Sequence, residues 1–181
     1  MCGIAGIVSE SKVSVEALDK AAQIQKHRGP DASGVKVFSA GVWNVGLAHQ
    51  RLKIIDLSDA ANQPMELDSG KSAIIYNGEV YNYIELRSEL EKEGYRFKTS
   101  SDTEVVLKAL DCWGVEGALN RFNGMWAFAW FDVQNKRIVL ARDRVGVKPL
   151  NYALLDGKLY FASEVKTIIE MSGKKFALNR Q

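Results

Sequence analysis

Met125-Trp126-Ala127-Phe128-Ala129-Trp130-Phe131 is the stretch from which the architecture follows. At the two-residue period of a strand it puts Trp126, Phe128 and Trp130 on one face and Met125, Ala127, Ala129 and Phe131 on the other. Both faces are apolar, and a strand of that kind needs a covering layer on each side. The run Ile138-Val139-Leu140-Ala141 has the same character. Residues 158–162 predict a further strand behind the Asp156-Gly157 turn, the signature of an antiparallel hairpin. Two sheets packed on each other, with helices outside, satisfy these demands.

Outward from that stretch, residues 3–8 predict a short buried strand that draws the amino end into the interior. Ser14 caps a helix predicted to reach about residue 26, with Val15, Leu18, Ala22 and Gln25 along one side and Gly29-Pro30 closing it. Strands are predicted over residues 34–38, 42–49 and 72–76. A second helix starts after Asn82, turns Leu86 and Leu90 inward and ends near Gly94. A third opens at Ser101, where Glu104 completes a Ser-x-x-Glu capping box, and stops at Gly114. Trp126 and Trp130 read as core, and Cys112 as a small buried hydrophobe.

The 181 residues, 46% hydrophobic and 25% charged, suit one domain with a true core. A formal net charge of +2 gives no ground for a nucleic-acid partner. The two cysteines make no disulfide framework and no spacing points to a metal, so a reducing cytoplasm is the expected compartment. No run approaches the ~20 apolar residues of a membrane span. Residues 3–8 lack a basic leader and are too short for a signal sequence. Residues 176–181 end in neither a helix nor a tail, which suggests a chain continuing in a longer protein.

Cys2 is the residue best placed to carry chemistry. Once Met1 is removed, one residue holds both a nucleophilic thiol and an α-amine to act as its base. Their ordinary pKa values, about 8.5 and ~7.7–8.0, lie near working range. A thiolate that cleaves a side-chain amide passes through an oxyanion, which requires two fixed donors. The Asn77 side-chain amide and the Gly78 N–H could supply them, although Tyr76-Asn77-Gly78-Glu79 also has the composition of a tight turn at a strand end. A free amino-acid substrate needs a cation for its α-carboxylate, offered by Arg51, and an anion for its α-ammonium, offered by Asp102 or Glu79. Each has a structural alternative: a lone Arg is commonly a surface charge, and Asp102 stands in a first helical turn, where a carboxylate favours the dipole. His27-Arg28-Gly29-Pro30-Asp31 reads as a turn. Ala141-Arg142-Asp143-Arg144-Val145-Gly146-Val147-Lys148-Pro149-Leu150 is open between an internal charge network and a path to a partner domain.

Taken in order, several motifs resemble those of the class II glutamine amidotransferase domain, the glutaminase half of asparagine synthetases. They are Cys2-Gly3-Ile4-Ala5-Gly6, His27-Arg28-Gly29-Pro30-Asp31, His49-Gln50-Arg51-Leu52-Lys53-Ile54-Ile55-Asp56-Leu57 and Gln63-Pro64-Met65. Tyr76-Asn77-Gly78-Glu79-Val80-Tyr81-Asn82, Ser101-Asp102-Thr103-Glu104, Ala141-Arg142-Asp143-Arg144 with Gly146-Val147-Lys148-Pro149, and Phe161-Ala162-Ser163-Glu164 complete the set, which covers essentially all 181 residues. The resemblance implies an α+β fold of the Ntn-hydrolase type, a four-layer α/β/β/α sandwich with two packed, mainly antiparallel sheets. Residues 1–181 would form the glutaminase domain, with the family's carboxyl-terminal synthetase domain absent from this chain.

By the same resemblance Cys2 attacks the side-chain amide of L-glutamine, Asn77 and Gly78 form the oxyanion hole, and Arg51, Glu79 and Asp102 hold the α-carboxylate and α-ammonium. Backbone atoms around Leu52, Ile54 and Ile55 line the glutamine pocket. Hydrolysis calls for no cofactor or metal; ATP and Mg are implied only for the missing synthetase domain, whose Ser-Gly-Gly-x-Asp loop does not occur here. The implied partner is that synthetase domain, with no nucleic acid or membrane, and a homo-oligomer stays open. Gln50 stands where many relatives carry Arg, and Asn151 where an aromatic is common. The alternative is a non-catalytic glutamine-binding regulatory or docking module, which has no need of a terminal thiol. The nitrogen acceptor stays open between aspartate and another substrate.

Overall fold

The computed structural model describes residues 1–176, in which nine strands and four helices follow one another. Their order is β1 (Gly3–Ser9), α1 (Val15–Ile24), β2 (Ala32–Ala40), β3 (Trp43–Arg51), β4 (Met65–Glu66), β5 (Ser72–Val80), α2 (Tyr83–Lys92), α3 (Asp102–Arg121), β6 (Gly124–Asp132), β7 (Arg137–Arg142), β8 (Asn151–Leu155), β9 (Lys158–Ala162) and α4 (Val165–Ser172). One sheet has the order β2-β3-β1-β9-β8 and the other β4-β5-β6-β7. Every pairing is antiparallel.

The two-faced stretch divides as its period requires. Ala127, Ala129 and Phe131 join Ala73 and Ile75 of β5 against Ile4, Leu47 and Phe161 of the opposite sheet. Trp126, Phe128 and Trp130 face the other way, onto Leu86 and Leu90 of α2 and Val106 and Leu110 of α3. The outer face of the first sheet, through Ala5, Ala48 and Tyr160, is covered by Leu18, Ala21 and Ala22 of α1 and Ile168 of α4. The result is a four-layer α/β/β/α sandwich with three apolar layers, as the sequence led us to expect. Among the described residues no helix is long and apolar enough to cross a membrane.

Local structure departs from expectation where long-range contacts outweigh local signals. Ser14 does cap α1, accepting a bond from the Ala17 N–H at 3.2 Å, but Val15 lies in the first turn on the solvent side and is 45% exposed. The helix ends at Ile24, and Lys26–Arg28 form a separate 3₁₀ turn. The expected capping box at α3 is only half formed. Ser101 Oγ accepts from the Thr103 N–H at 3.1 Å, whereas Glu104 turns away to the Lys98 and Thr99 N–H groups and to Lys108 Nζ at 2.5 Å. At Gly114 α3 breaks with φ +68, then resumes to Arg121 rather than stopping. Cys112 is half-buried against the helix-side core.

Tyr76-Asn77-Gly78-Glu79 is no turn: it lies inside β5, paired residue by residue with β6. In the 141–150 run Asp143 is buried and its carboxylate accepts from the N–H groups of Trp126, Val147 and Lys148, while Arg144 donates to the Leu119 and Phe122 carbonyls. Asp143 and Arg144 thus form an internal network, while Val145 and Val147 of the same run are exposed. Residues 177–181, most of the end read as continuing elsewhere, lie outside the described residues.

Phe131 is 1% exposed between the sheets, its ring 5.5 Å from that of Phe38. Phe131→Ala is expected to lower unfolding free energy by about 3–5 kcal/mol in urea titration, with the fold retained; a loss below about 1 kcal/mol would contradict the inter-sheet packing.

Candidate active site

β1 carries Cys2 to one end of the inter-sheet layer. Its register against β3 pairs Gly3 with Gln50, so Cys2 arrives beside Arg51 and Leu52. The Leu52 N–H donates to Cys2 Sγ at 3.4 Å. Arg28 Nε donates to the Cys2 carbonyl at 3.0 Å, and Ser163 Oγ accepts from the Ile4 N–H at 3.1 Å. Arg28 is in turn held by Glu164 at 3.3 Å. Burial opposes ionisation of that carboxyl, yet Lys166, His27 and Arg28 outweigh it and hold its pKa at about 2. Burial pushes the Cys2 thiol up, against the Leu52 N–H and the nearby charges of the Met1 ammonium and Arg51.

All nine residues singled out from the sequence, Cys2, Arg51, Leu52, Ile54, Ile55, Asn77, Gly78, Glu79 and Asp102, line one cavity of about 180 Å³. Its size is comparable with the ~150 Å³ cavity that takes up one benzene ring, suited to a small molecule rather than a folded chain. Leu52 and Ile55 are half-buried in its wall, and Ile54, 65% exposed, stands at the rim. Met1 and Lys148 line it as well.

β5 supplies the donors. Ala73 and Ile75 face the opposite sheet, so the two-residue period turns the Asn77 side chain the same way, toward the end of β1. Asn77 is 1% exposed, and among the described residues its Nδ2 has no hydrogen-bond partner. Alternation also sets the backbone. The Tyr76 N–H donates to Gln63 Oε1 at 2.6 Å and the Val80 N–H to Asp102 Oδ2 at 3.1 Å, both away from β6. The Gly78 N–H, between them, takes the same direction. Only glycine fits there, because a Cβ would lie 2.6 Å from Trp126 Cα.

Tyr76 is the hub behind these donors. Besides its N–H bond, its carbonyl faces His49 Nε2 at 3.1 Å and its hydroxyl donates to Asp102 Oδ2 at 2.8 Å. Burial holds the His49 pKa down at about 3, so the ring is neutral, and a carbonyl partner assigns its proton to Nε2. Gln63 Nε2 reaches on to Thr103 Oγ1 at 3.2 Å. Burial pushes the Asp102 carboxyl up, against the bonds from Tyr76 and Val80. Arg51 is buried and not a surface charge: Nη1 donates to the Ser58 carbonyl at 2.7 Å and Asn62 Oδ1 at 2.9 Å, and Nη2 to the Asp56 carbonyl. Of the guanidinium's five N–H donors, two remain for a ligand.

His49, Gln63 and Lys148 appear in motifs but carried no role in the sequence reading. A Gln-Pro pair before an apolar residue and a His inside an apolar strand were the available signals. Among the described residues no group of three or more His, Cys, Asp or Glu side chains is placed to hold a metal ion.

A family model described as a glutamine amidotransferase domain matches residues 1–181. The chain belongs to the glutamine amidotransferase domain family. A Methanocaldococcus jannaschii protein provisionally assigned as a glutamine-hydrolysing asparagine synthetase is 40% identical, over 99% of this chain and 38% of its own length. Asparagine synthetase 1 of Bacillus subtilis is 38% identical, over 93% of this chain and 27% of its own. The chain thus spans well under half the length of these curated relatives. The glutamine phosphoribosylpyrophosphate amidotransferase of B. subtilis shares the fold, with a TM-score of 0.78 at 22% identity, covering 94% of this chain and 44% of that one. A structure described as the allosteric regulatory enzyme of purine biosynthesis has a TM-score of 0.81 at 20% identity, over 94% and 43%. At these identities the two structures share with this chain the fold alone, the α+β sandwich of two packed antiparallel sheets described above.

The raised Cys2 thiol makes a pH prediction for this amidotransferase domain. With Met1 retained and Cys112 replaced by Ser, alkylation of Cys2 by iodoacetamide is expected to reach half its maximal rate above the ordinary thiol value of about 8.5, because only the thiolate reacts. A half-rise at or below that value would contradict the burial seen here.

Proposed function

We propose that this chain is the glutamine-hydrolysing part of an amidotransferase of the asparagine synthetase type. The observation that carries the reading is the buried, unpartnered Nδ2 of Asn77 in the cavity that holds the Cys2 thiol. An unmatched buried donor costs about 1–3 kcal/mol, and an oxyanion forming there would take it up.

In the proposed reaction Met1 is first removed. The freed α-amine of Cys2 takes the thiol proton, and the thiolate attacks the side-chain carbonyl carbon of glutamine. Asn77 Nδ2 and the Gly78 N–H hold the resulting oxyanion. As the intermediate collapses, the carbon–nitrogen bond breaks, the α-ammonium returns its proton to the leaving nitrogen, and ammonia departs from a γ-glutamyl thioester. Water then attacks the thioester with the amine as base; the second intermediate expels the thiolate, which is reprotonated, and glutamate is released. Arg51 takes the α-carboxylate through its two remaining donors, and Asp102 with Glu79 the α-ammonium. The 51–56 segment forms the wall around the carbon chain.

This step uses no cofactor or metal. ATP and Mg are proposed only for a synthetase domain beyond residue 181, which would receive the ammonia; the 38% and 27% coverage of the two relatives supports such a longer protein. Aspartate is the favoured acceptor because both are asparagine synthetases in name. The Gibberella zeae amidase chry2, 34% identical over 93% of this chain, shows that relatives also carry other names. Two free cysteines suit the reducing cytoplasm.

Protein with Met1 removed, confirmed by intact mass, should convert glutamine to glutamate; protein that keeps Met1 and the Cys2→Ala variant should not. Equal rates with and without Met1 would sink the terminal-amine mechanism, and tight glutamine binding with no glutamate formed would favour a regulatory module. Asn77→Ala is expected to lower kcat by about 10²–10³-fold with little change in KM, measured by coupled glutamate assay.

A further inference from the structure

The segment after β3 forms one wall of the cavity yet has little apolar anchorage: Ile54 is 65% and Leu57 69% exposed. Polar bonds converging on Asp56 hold it instead. Asp56 is 8% exposed. Its Oδ1 accepts from the Ser58 N–H at 2.8 Å and the Ser58 hydroxyl at 2.6 Å, and its Oδ2 from the Ser100 N–H at 2.8 Å and the Ser100 hydroxyl at 3.1 Å. Its carbonyl oxygen accepts from Arg51 Nη2, while Arg51 Nη1 reaches the Ser58 carbonyl. The hydroxyl of Ser58 and the donors of Ser100 keep the carboxyl far below the ordinary range, so it is ionised at any working pH.

These bonds join three separate pieces of chain. Arg51 ends β3, Ser58 lies in the wall segment, and Ser100 precedes α3, whose first residue is Asp102. Arg51 and Asp102 both line the cavity from these pieces. We propose that Asp56 is a positioning residue that fixes the separation of Arg51 from Asp102, and so the preference of the site for a substrate bearing both an α-carboxylate and an α-ammonium. The proposal rests on the glutaminase reading and deepens it. A substrate with both groups needs the two partners at one set distance; a substrate with only the carboxylate does not. Loosening the tie therefore weakens glutamine more than an analogue lacking the ammonium, and leaves the thiol and Asn77 in place.

The test uses Asp56→Asn, which keeps the shape but cannot accept all four bonds, together with Ser100→Ala, which removes only the 3.1 Å bond. In Met1-processed protein, Asp56→Asn is expected to raise KM for L-glutamine about tenfold with kcat within about threefold, while kcat/KM for glutaramate, which lacks the α-ammonium, changes far less. Ser100→Ala should shift the same ratio in the same direction by a smaller factor. Calorimetric glutamine binding in the Cys2→Ala background should weaken in parallel, a readout independent of turnover and available for Ser100→Ala even if Asp56→Asn does not fold. An equal loss for both substrates, a fall in kcat with KM unchanged, or unchanged glutamine affinity in both variants would overturn the proposal. If glutamine binds and the variants weaken it but no parent protein turns it over, the glutaminase reading fails and the positioning role stands.

Discussion

The packing of β1 against β5 across the interior sets the distance between a thiol and a pair of N–H donors. Ile4 and Ile75 meet in the layer that also holds Leu47, Phe131 and Phe161, all at 0–1% exposure. Close-packed interiors deform little, so residues that continue these two strands past the apolar layer keep a fixed relation. Cys2 and Asn77 are those residues. The apolar layer is what permits an unmatched buried amide to persist, since the cost of one bare donor, about 1–3 kcal/mol, is small beside the burial of several large side chains at about 1.5–3 kcal/mol each.

Rigidity of the donor strand has a second source. Tyr76 has its N–H, carbonyl and hydroxyl all engaged, by Gln63, His49 and Asp102. The residue before the proposed oxyanion pair is therefore fixed from three directions: a segment beside β4, the opposite sheet, and the start of α3. A charged imidazole beside the site would add a cation that the proposed oxyanion chemistry has no need of. Burial forbids one by holding His49 near a pKa of about 3, where it can only be a neutral donor.

The period of residues 125–131 made the layers legible because both of its faces had to be covered, and no local alternative satisfies that. Cys2, Arg51, Asn77, Gly78 and Asp102 could be chosen because amide cleavage on a free amino acid needs those groups, and the cavity does gather them. The Tyr76 hub was not legible. Its partners lie 13 to 27 positions away along the chain, and no short-range spacing encodes such bonds. The turn alternative at Asn77-Gly78 fails for the same reason: locally the pair is a turn signal, whereas the glycine is required by the approach of Trp126 from a neighbouring strand. Glu104 sits at a capping position but finds Lys98, Thr99 and Lys108, partners that a box pattern does not include.

The proposed catalytic amine at a chain terminus demands order where chains usually fray, and ordering one residue costs roughly 1–2 kcal/mol of backbone entropy. Here the restraints act on Cys2 and on the strand it leads into, not on Met1. β1 is paired on both edges, Arg28 grips the Cys2 carbonyl, Leu52 donates to the thiol, and Ser163 accepts from the Ile4 N–H. Met1, 54% exposed, is not the donor or acceptor in any of these bonds. Its removal converts an amide nitrogen into an amine and leaves each of these hydrogen bonds in place, so the restraints on Cys2 do not depend on Met1.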